Sequence, residues 1–127
     1  MSAAQPSRGL LLFAHGARDK AWAAPFRTVL QQARAQRPEW QVSLAFLELM
    51  PPDLPSAANE LVQGGCARID IVPLFLGSGG HVKNDLPQLV QRLREQHPGT
   101  VWMLRSAIGE HPAVIAAIAQ AAVDSTD

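Results

Sequence analysis

Imidazole takes up and releases both protons and divalent metals near neutral pH. Two of the four histidines stand where apolar runs give way to glycine. His15 lies in Leu12-Phe13-Ala14-His15-Gly16-Ala17-Arg18-Asp19, and His81 in Phe75-Leu76-Gly77-Ser78-Gly79-Gly80-His81-Val82-Lys83-Asn84-Asp85. If both runs are parallel strands of one open sheet, their ends share an edge, and the two rings can meet although far apart in sequence. Two imidazoles leave positions on a metal open, which is a catalytic or transfer geometry and not a closed structural site. Glu48, after another apolar run, can serve as a third ligand, as a proton acceptor or simply as a solvated carboxylate. His97 reads as a helix-end histidine, and His111 as an N-cap or loop residue.

The elements that must position these residues alternate. Leu10 to Ala14 reads as a strand buried on both faces. Trp22, Phe26, Val29, Leu30 and Ala33 form one helical stripe ended by Arg37-Pro38. Val42 to Leu47 is a second strand, followed by a proline-rich loop and a short helix from Ser56 to Gln63 stopped by Gly64-Gly65. Ile69 to Leu76 is a third strand, in which Pro73 removes a ladder donor and implies a bulge or an unpaired position. Leu86, Leu89, Val90 and Leu93 stripe a third helix over 83–96. Val101 to Leu104 is a fourth strand, and Pro112 opens a last helix striped by Val114, Ile115, Ile118 and Ala122. The βαβαβαβα order predicts an α/β fold: one three-layer domain, a four-stranded parallel sheet with helices covering both faces. We expect a flexible lead-in at 1–7 and a single domain over 8–124.

Composition narrows the function. The 127 residues suit one domain, and 47% apolar content supplies one core. Eleven basic and eleven acidic residues balance, so nothing points to nucleic acid or to a membrane surface. No run is long enough to span a bilayer. The lone cysteine, Cys66, reads as a small core residue and suits a reducing compartment, so a cytoplasmic location is expected. Gly77-Ser78-Gly79-Gly80 fails both phosphate templates: Val82 stands where GxGxxG needs glycine, and no Gly-Lys-Ser/Thr follows. Gly79 and Gly80 can instead let backbone approach a flat ligand. Arg18 and Lys83, if not merely solvated, favour its carboxylates.

These residues resemble the sirohydrochlorin chelatases of the class II chelatase superfamily, in their short, single-domain form. The resemblance rests on the strand running into His15-Gly16-Ala17-Arg18-Asp19 and on the long motif from Pro73 through Phe75, Leu76, Gly79, His81 and Asp85 to Pro87. Ala45-Phe46-Leu47-Glu48 and Ile108-Gly109-Glu110-His111-Pro112 are similar to the family's acidic strand end and final loop. Ala17 departs from the pattern, since serine is common there.

The resemblance implies insertion of cobalt or ferrous iron into sirohydrochlorin, on the way to cobalamin or sirohaem. His15 and His81 would hold the metal or accept the pyrrole protons, with Glu48 assisting. The metal enters as a co-substrate, and no permanently bound cofactor is implied. Leu49 and Met50 would lie against the macrocycle. Because larger chelatases contain two such halves, the resemblance also implies a homodimer. A non-catalytic carrier of metal or tetrapyrrole uses the same histidines; Glu48 favours the enzyme, since passive binding needs no proton acceptor. A flavodoxin-like phosphate binder is disfavoured by the failed phosphate motifs.

Overall fold

The computed structural model describes residues 7–77 and 79–126, with the side chains of residues 7 and 80–83 outside the description. Four parallel strands form one sheet: β1 (Ser7–Ala14), β2 (Gln41–Phe46), β3 (Cys66–Pro73) and β4 (Val101–Leu104). Their order is β2-β1-β3-β4. Chain direction across the sheet therefore reverses between β1 and β3, and the crevice beyond their carboxyl ends is where an open α/β sheet offers a ligand site.

Four α-helices connect and follow the strands: α1 (Ala24–Gln36), α2 (Leu54–Gln63), α3 (Gly80–Gln96) and α4 (Pro112–Asp124). Prolines pre-set φ at the first turns of α1, α2 and α4. Asp53 caps α2 through the Ser56 amide, so that helix begins two residues before the expected Ser56. Hydrogen bonding from the Ser56 side chain, and then from its amide, holds the Asp53 carboxyl below its ordinary pKa. Trp22, expected on the first long helix, sits instead in a 3-10 turn over Lys20–Ala23, which Asp19 caps through the Ala21 amide.

The sheet has two different faces. On one, Leu11, Phe13, Ile69, Ile71 and Trp102 pack beneath Leu54, Ala58 and Leu61 of α2 and Leu86, Val90 and Leu93 of α3, forming the larger core cluster. Cys66 lies in it, 3% exposed, and burial pushes its thiol pKa up. On the other, Leu12, Val42, Leu44 and Phe46 pack with Trp22, Phe26, Leu30 and Ala33. Strand alternation places Asp70 and Val72 of β3, and Val101 and Met103 of β4, on this second face.

The four-stranded parallel sheet with helices on both faces stands as expected. Two finer points differ: α4 buries none of its side chains, and Ile115 and Ile118 of its stripe are 55% and 46% exposed. Its 3.6-residue period correctly signals a helix, while the apolar face it implies buries no side chain among the described residues. The third strand ends at Pro73, not at Leu76. Pro73 still pairs with Phe13, and the following Leu74 amide donates to the Phe13 carbonyl at 2.7 Å. The missing donor faces the side where the β4 ladder has already ended, at Ile71 opposite Leu104, so Pro73 is tolerated without a bulge. The sheet's irregularity falls instead between Ser7 and Arg8.

Candidate functional site

His15 is the first residue beyond β1, and its ring is exposed, 5.8 Å edge-on from the ring of Phe75 beyond β3. Glu48 follows β2, and its side chain is exposed as well. The two loops are joined through backbone. The Leu47 amide donates to the Ala14 carbonyl at 2.9 Å and the Glu48 amide to the His15 carbonyl at 3.2 Å. Gly16, with φ of 96°, occupies left-handed backbone, and a Cβ there would collide with the Glu48 carbonyl. The glycine beside the histidine is thus required by the approach of the Glu48 loop.

His15 and Glu48 line one wall of a cavity of about 310 Å³ together with Phe13, Leu47, Asp85, Leu86 and Leu89. The cavity lies at the β1/β3 reversal, with α3 forming its other wall. Apolar side chains make up most of the lining, and the polar groups are one imidazole and two carboxylates. Such a lining can cover apolar ligand surface and presents proton-accepting and metal-binding groups to it. Among the described residues no three His, Cys, Asp or Glu side chains form a group that could hold a metal ion.

The sequence expectations fall into three groups. His15 and Glu48 come together as expected. His81 and Lys83 lie on the first turn of α3, and their side chains fall outside the described residues. Gly79 is the N-cap of α3, and a Cβ on it would meet nothing within 4 Å, so no protein contact accounts for a glycine there. His97 and His111 have the structural roles expected of them. His97 caps the C-terminus of α3, and the Nδ1 of His111 accepts from the Ala113 amide at the start of α4.

Arg18 borders a second cleft, of about 440 Å³, lined also by Ala17, Lys20, Arg27, Leu49, Met50 and Pro51. Neither Lys20, in the 3-10 turn, nor Arg27, in α1, stands out in the sequence, and neither does a role for Asp85, four residues after His81 on α3. The cleft contains three cations and no carboxylate. Its floor is a tight turn in which the Met50 amide donates to the Glu48 carbonyl at 2.8 Å and Leu49 takes φ of 67°, a strained conformation for a residue with a Cβ. Leu49 is 58% exposed, so the strain holds an apolar side chain out at the rim.

Known proteins resemble this chain over most of its length. The CbiX family model matches residues 9–125. The sirohydrochlorin cobaltochelatase of Methanothermobacter thermautotrophicus is 32% identical over 86 residues, covering 68% of this chain and 59% of its own length, so the match spans about three fifths of that relative. Among solved structures, the CbiX protein of Marinobacter aquaeolei VT8 superposes with a TM-score of 0.82 at 28% identity, covering 92% of this chain and 95% of its own. The sirohydrochlorin chelatase SirB of Bacillus subtilis subspecies spizizenii, solved in complex with cobalt, gives 0.81 at 25% identity and covers 94% of this chain but 51% of its own.

Proposed function

This chain belongs to the CbiX family, and on that footing we propose that it is a sirohydrochlorin chelatase, inserting cobalt(II) or iron(II) into sirohydrochlorin with release of two ring protons. The observation that carries the reading is the shared cavity of His15, Glu48 and Asp85 at the β1/β3 reversal, with position 81 one helical turn before Asp85. The names of relatives support it: sirohydrochlorin cobaltochelatase in one group, sirohydrochlorin ferrochelatase in another.

In this reading His15 and His81 hold the incoming ion by imidazole nitrogen and take up the pyrrole protons as the metal passes to the ring. Glu48 relays those protons toward solvent, which its exposed position permits. Two imidazoles with open coordination positions suit transfer, since a closed cage would retain the metal. The tetrapyrrole lies over Phe13, Leu47 and Leu89, with its edge toward Leu49 and Met50. Arg18 and Lys83, joined by Lys20 and Arg27, meet its carboxylates, and Gly79 and Gly80 let backbone approach the ring. A homodimer supplies the second wall of the cleft. The reaction runs in the cytoplasm, where a reduced, buried Cys66 is stable; no helix among the described residues is long and apolar enough to cross a membrane.

The test is direct. The protein is mixed with sirohydrochlorin and cobalt or ferrous iron, and metallation is followed by absorbance for the wild type, His15→Ala and His81→Ala. Each alanine is expected to lower the catalysed rate by about 10²-fold or more, the usual worth of a positioned acid-base group. No rate above the uncatalysed background with either metal overturns the enzyme. Stoichiometric binding without turnover replaces it with the carrier. Full activity in either alanine variant removes that histidine from its role.

A further inference from the structure

Most arginines of this chain are already engaged. Arg8, Arg68 and Arg105 gather around Asp70 at 3.3, 3.7 and 2.8 Å. Arg34 and Arg94 donate to the carbonyls of Val42 and Trp102 at 2.8 and 3.0 Å. Arg27 and Arg37 lie over the rings of Phe46 and Trp40 at 5.9 and 5.5 Å. Arg18 and Arg92 remain, and among the described residues neither has an ion pair, a side-chain hydrogen bond or an aromatic ring beneath it. An exposed arginine is ordinarily just solvated. What sets these two apart is where they stand.

Both border the ligand cavity. Arg18 lines the cleft beyond the Glu48–Met50 turn. Arg92 lines a hollow of about 300 Å³ with Leu47, Asp85, Gln88 and Leu89. Leu47, Asp85 and Leu89 also line the His15 cavity, so the hollow continues that cavity along α3. Asp85, Gln88 and Arg92 fall at helical spacing on one side of α3. The rise of the helix carries Arg92 about 10 Å beyond Asp85. That is of the order of the reach from the nitrogens at the centre of a macrocycle to a carboxylate on one of its side arms.

Charge is therefore zoned. The imidazole of His15 and the carboxylates of Glu48 and Asp85 stand in the middle, against an apolar lining, and among the described residues the cations stand at the two ends. A guanidinium in the middle would repel an incoming divalent ion and tie up Glu48; at the ends, with water between, it does neither. A metal ion alone needs no such ends, and a purely apolar ring needs none either. A ring with acidic arms at its edge matches all three zones.

We propose that Arg92, with the amide of Gln88, forms a second carboxylate subsite, a specificity-determining contact for a macrocycle with acidic arms on more than one edge. α3 packs on one sheet face and α1 on the other, so Arg92 and the Arg18 cleft hold the ring from two sides of His15. The guanidinium offers a carboxylate two parallel donors. The proposal deepens the chelatase reading and rests on it.

The wild type, Arg92→Gln and Arg92→Lys are titrated against metal-free sirohydrochlorin, with binding read from the fluorescence anisotropy of the ring, and metallation by cobalt is then followed for each. Arg92→Gln is expected to raise the dissociation constant about three- to tenfold, as for a partly exposed hydrogen bond between charged groups. Arg92→Lys is expected to recover most of that loss, and the gap between wild type and Arg92→Gln to narrow at about 1 M salt. In metallation the loss is expected to fall on KM. An unchanged dissociation constant in Arg92→Gln overturns the subsite, as does a lysine variant no better than the glutamine variant, or a loss confined to kcat. A wild type that binds the ring without metallating it overturns the enzyme, and the ratio of dissociation constants still decides the subsite. A wild type that does not bind the ring overturns both.

Discussion

α3 and α4 both follow a strand and both show apolar residues at helical spacing, yet one is a structural wall and the other is not. α3 alternates its stripe with Gln88, Gln91, Arg92, Arg94 and Glu95, so it has one buried side, where Leu86, Val90 and Leu93 are 6%, 0% and 2% exposed. α4 has alanine where α3 has charge. Its surface therefore offers no strongly polar side, and nothing among the described residues buries it. Periodicity tells that a segment is helical; the chemistry of the residues off the stripe tells whether the helix is finished within its own fold.

The sharpest way to test that contrast is to make the same change on both helices. Leu93→Ala on α3 is expected to cost about 2–5 kcal/mol, because it removes a fully packed side chain and leaves a cavity. Ile118→Ala on α4 is expected to leave the unfolding free energy of the isolated protomer within about 0.5 kcal/mol, as for an exposed site. Urea denaturation at a concentration where the chain is monomeric measures both, and equal losses would erase the distinction between the helices.

A smaller effect is expected at the second sheet face. Asp70→Asn removes the carboxylate that gathers Arg8, Arg68 and Arg105. The loss should be about 1.5–3 kcal/mol, the range for hydrogen bonds to a charged group, at the lower end because the arginines are half-exposed and can turn to solvent. Thermal unfolding reads it, and no loss would mean that the arginines are held by something else.

The smallest concerns the other face. Burial raises the Cys66 pKa, so the folded chain keeps its proton when the unfolded chain would release it. Stability from this group is complete below the ordinary thiol pKa and falls as pH rises through it toward the folded value. A thiol reagent at pH 8 should label Cys66 only after denaturant is added; rapid labelling of the native protein would mean that the α2–α3 face opens.

Much of this organisation is legible in the residues. The apolar runs and stripes locate all four strands and four helices, because each must satisfy a simple period against a core. Boundaries shift where local chemistry intervenes: Asp53 and Pro55 start α2 early, and Pro73 ends β3. The convergence of His15 with Glu48 follows from the rule that parallel strands end on one edge. What the sequence hides is contact between loops. Nothing in the spacing of Gly16 and Glu48 says that one backbone presses on the other, or that Lys20 and Arg27 share a cleft with Met50. The exposure of α4 is hidden for a different reason: a period specifies a face without specifying what meets it.

The stitching of the His15 loop to the Glu48 loop has one more consequence. Backbone bonds between Ala14 and Leu47 and between His15 and Glu48 fix the spacing of the main chains that carry imidazole and carboxylate before any ligand arrives. If the ligand is the proposed tetrapyrrole, the ring meets two loops already tied together along their main chains, and the buckling that exposes its nitrogens to a metal falls to the macrocycle and to side-chain rotation.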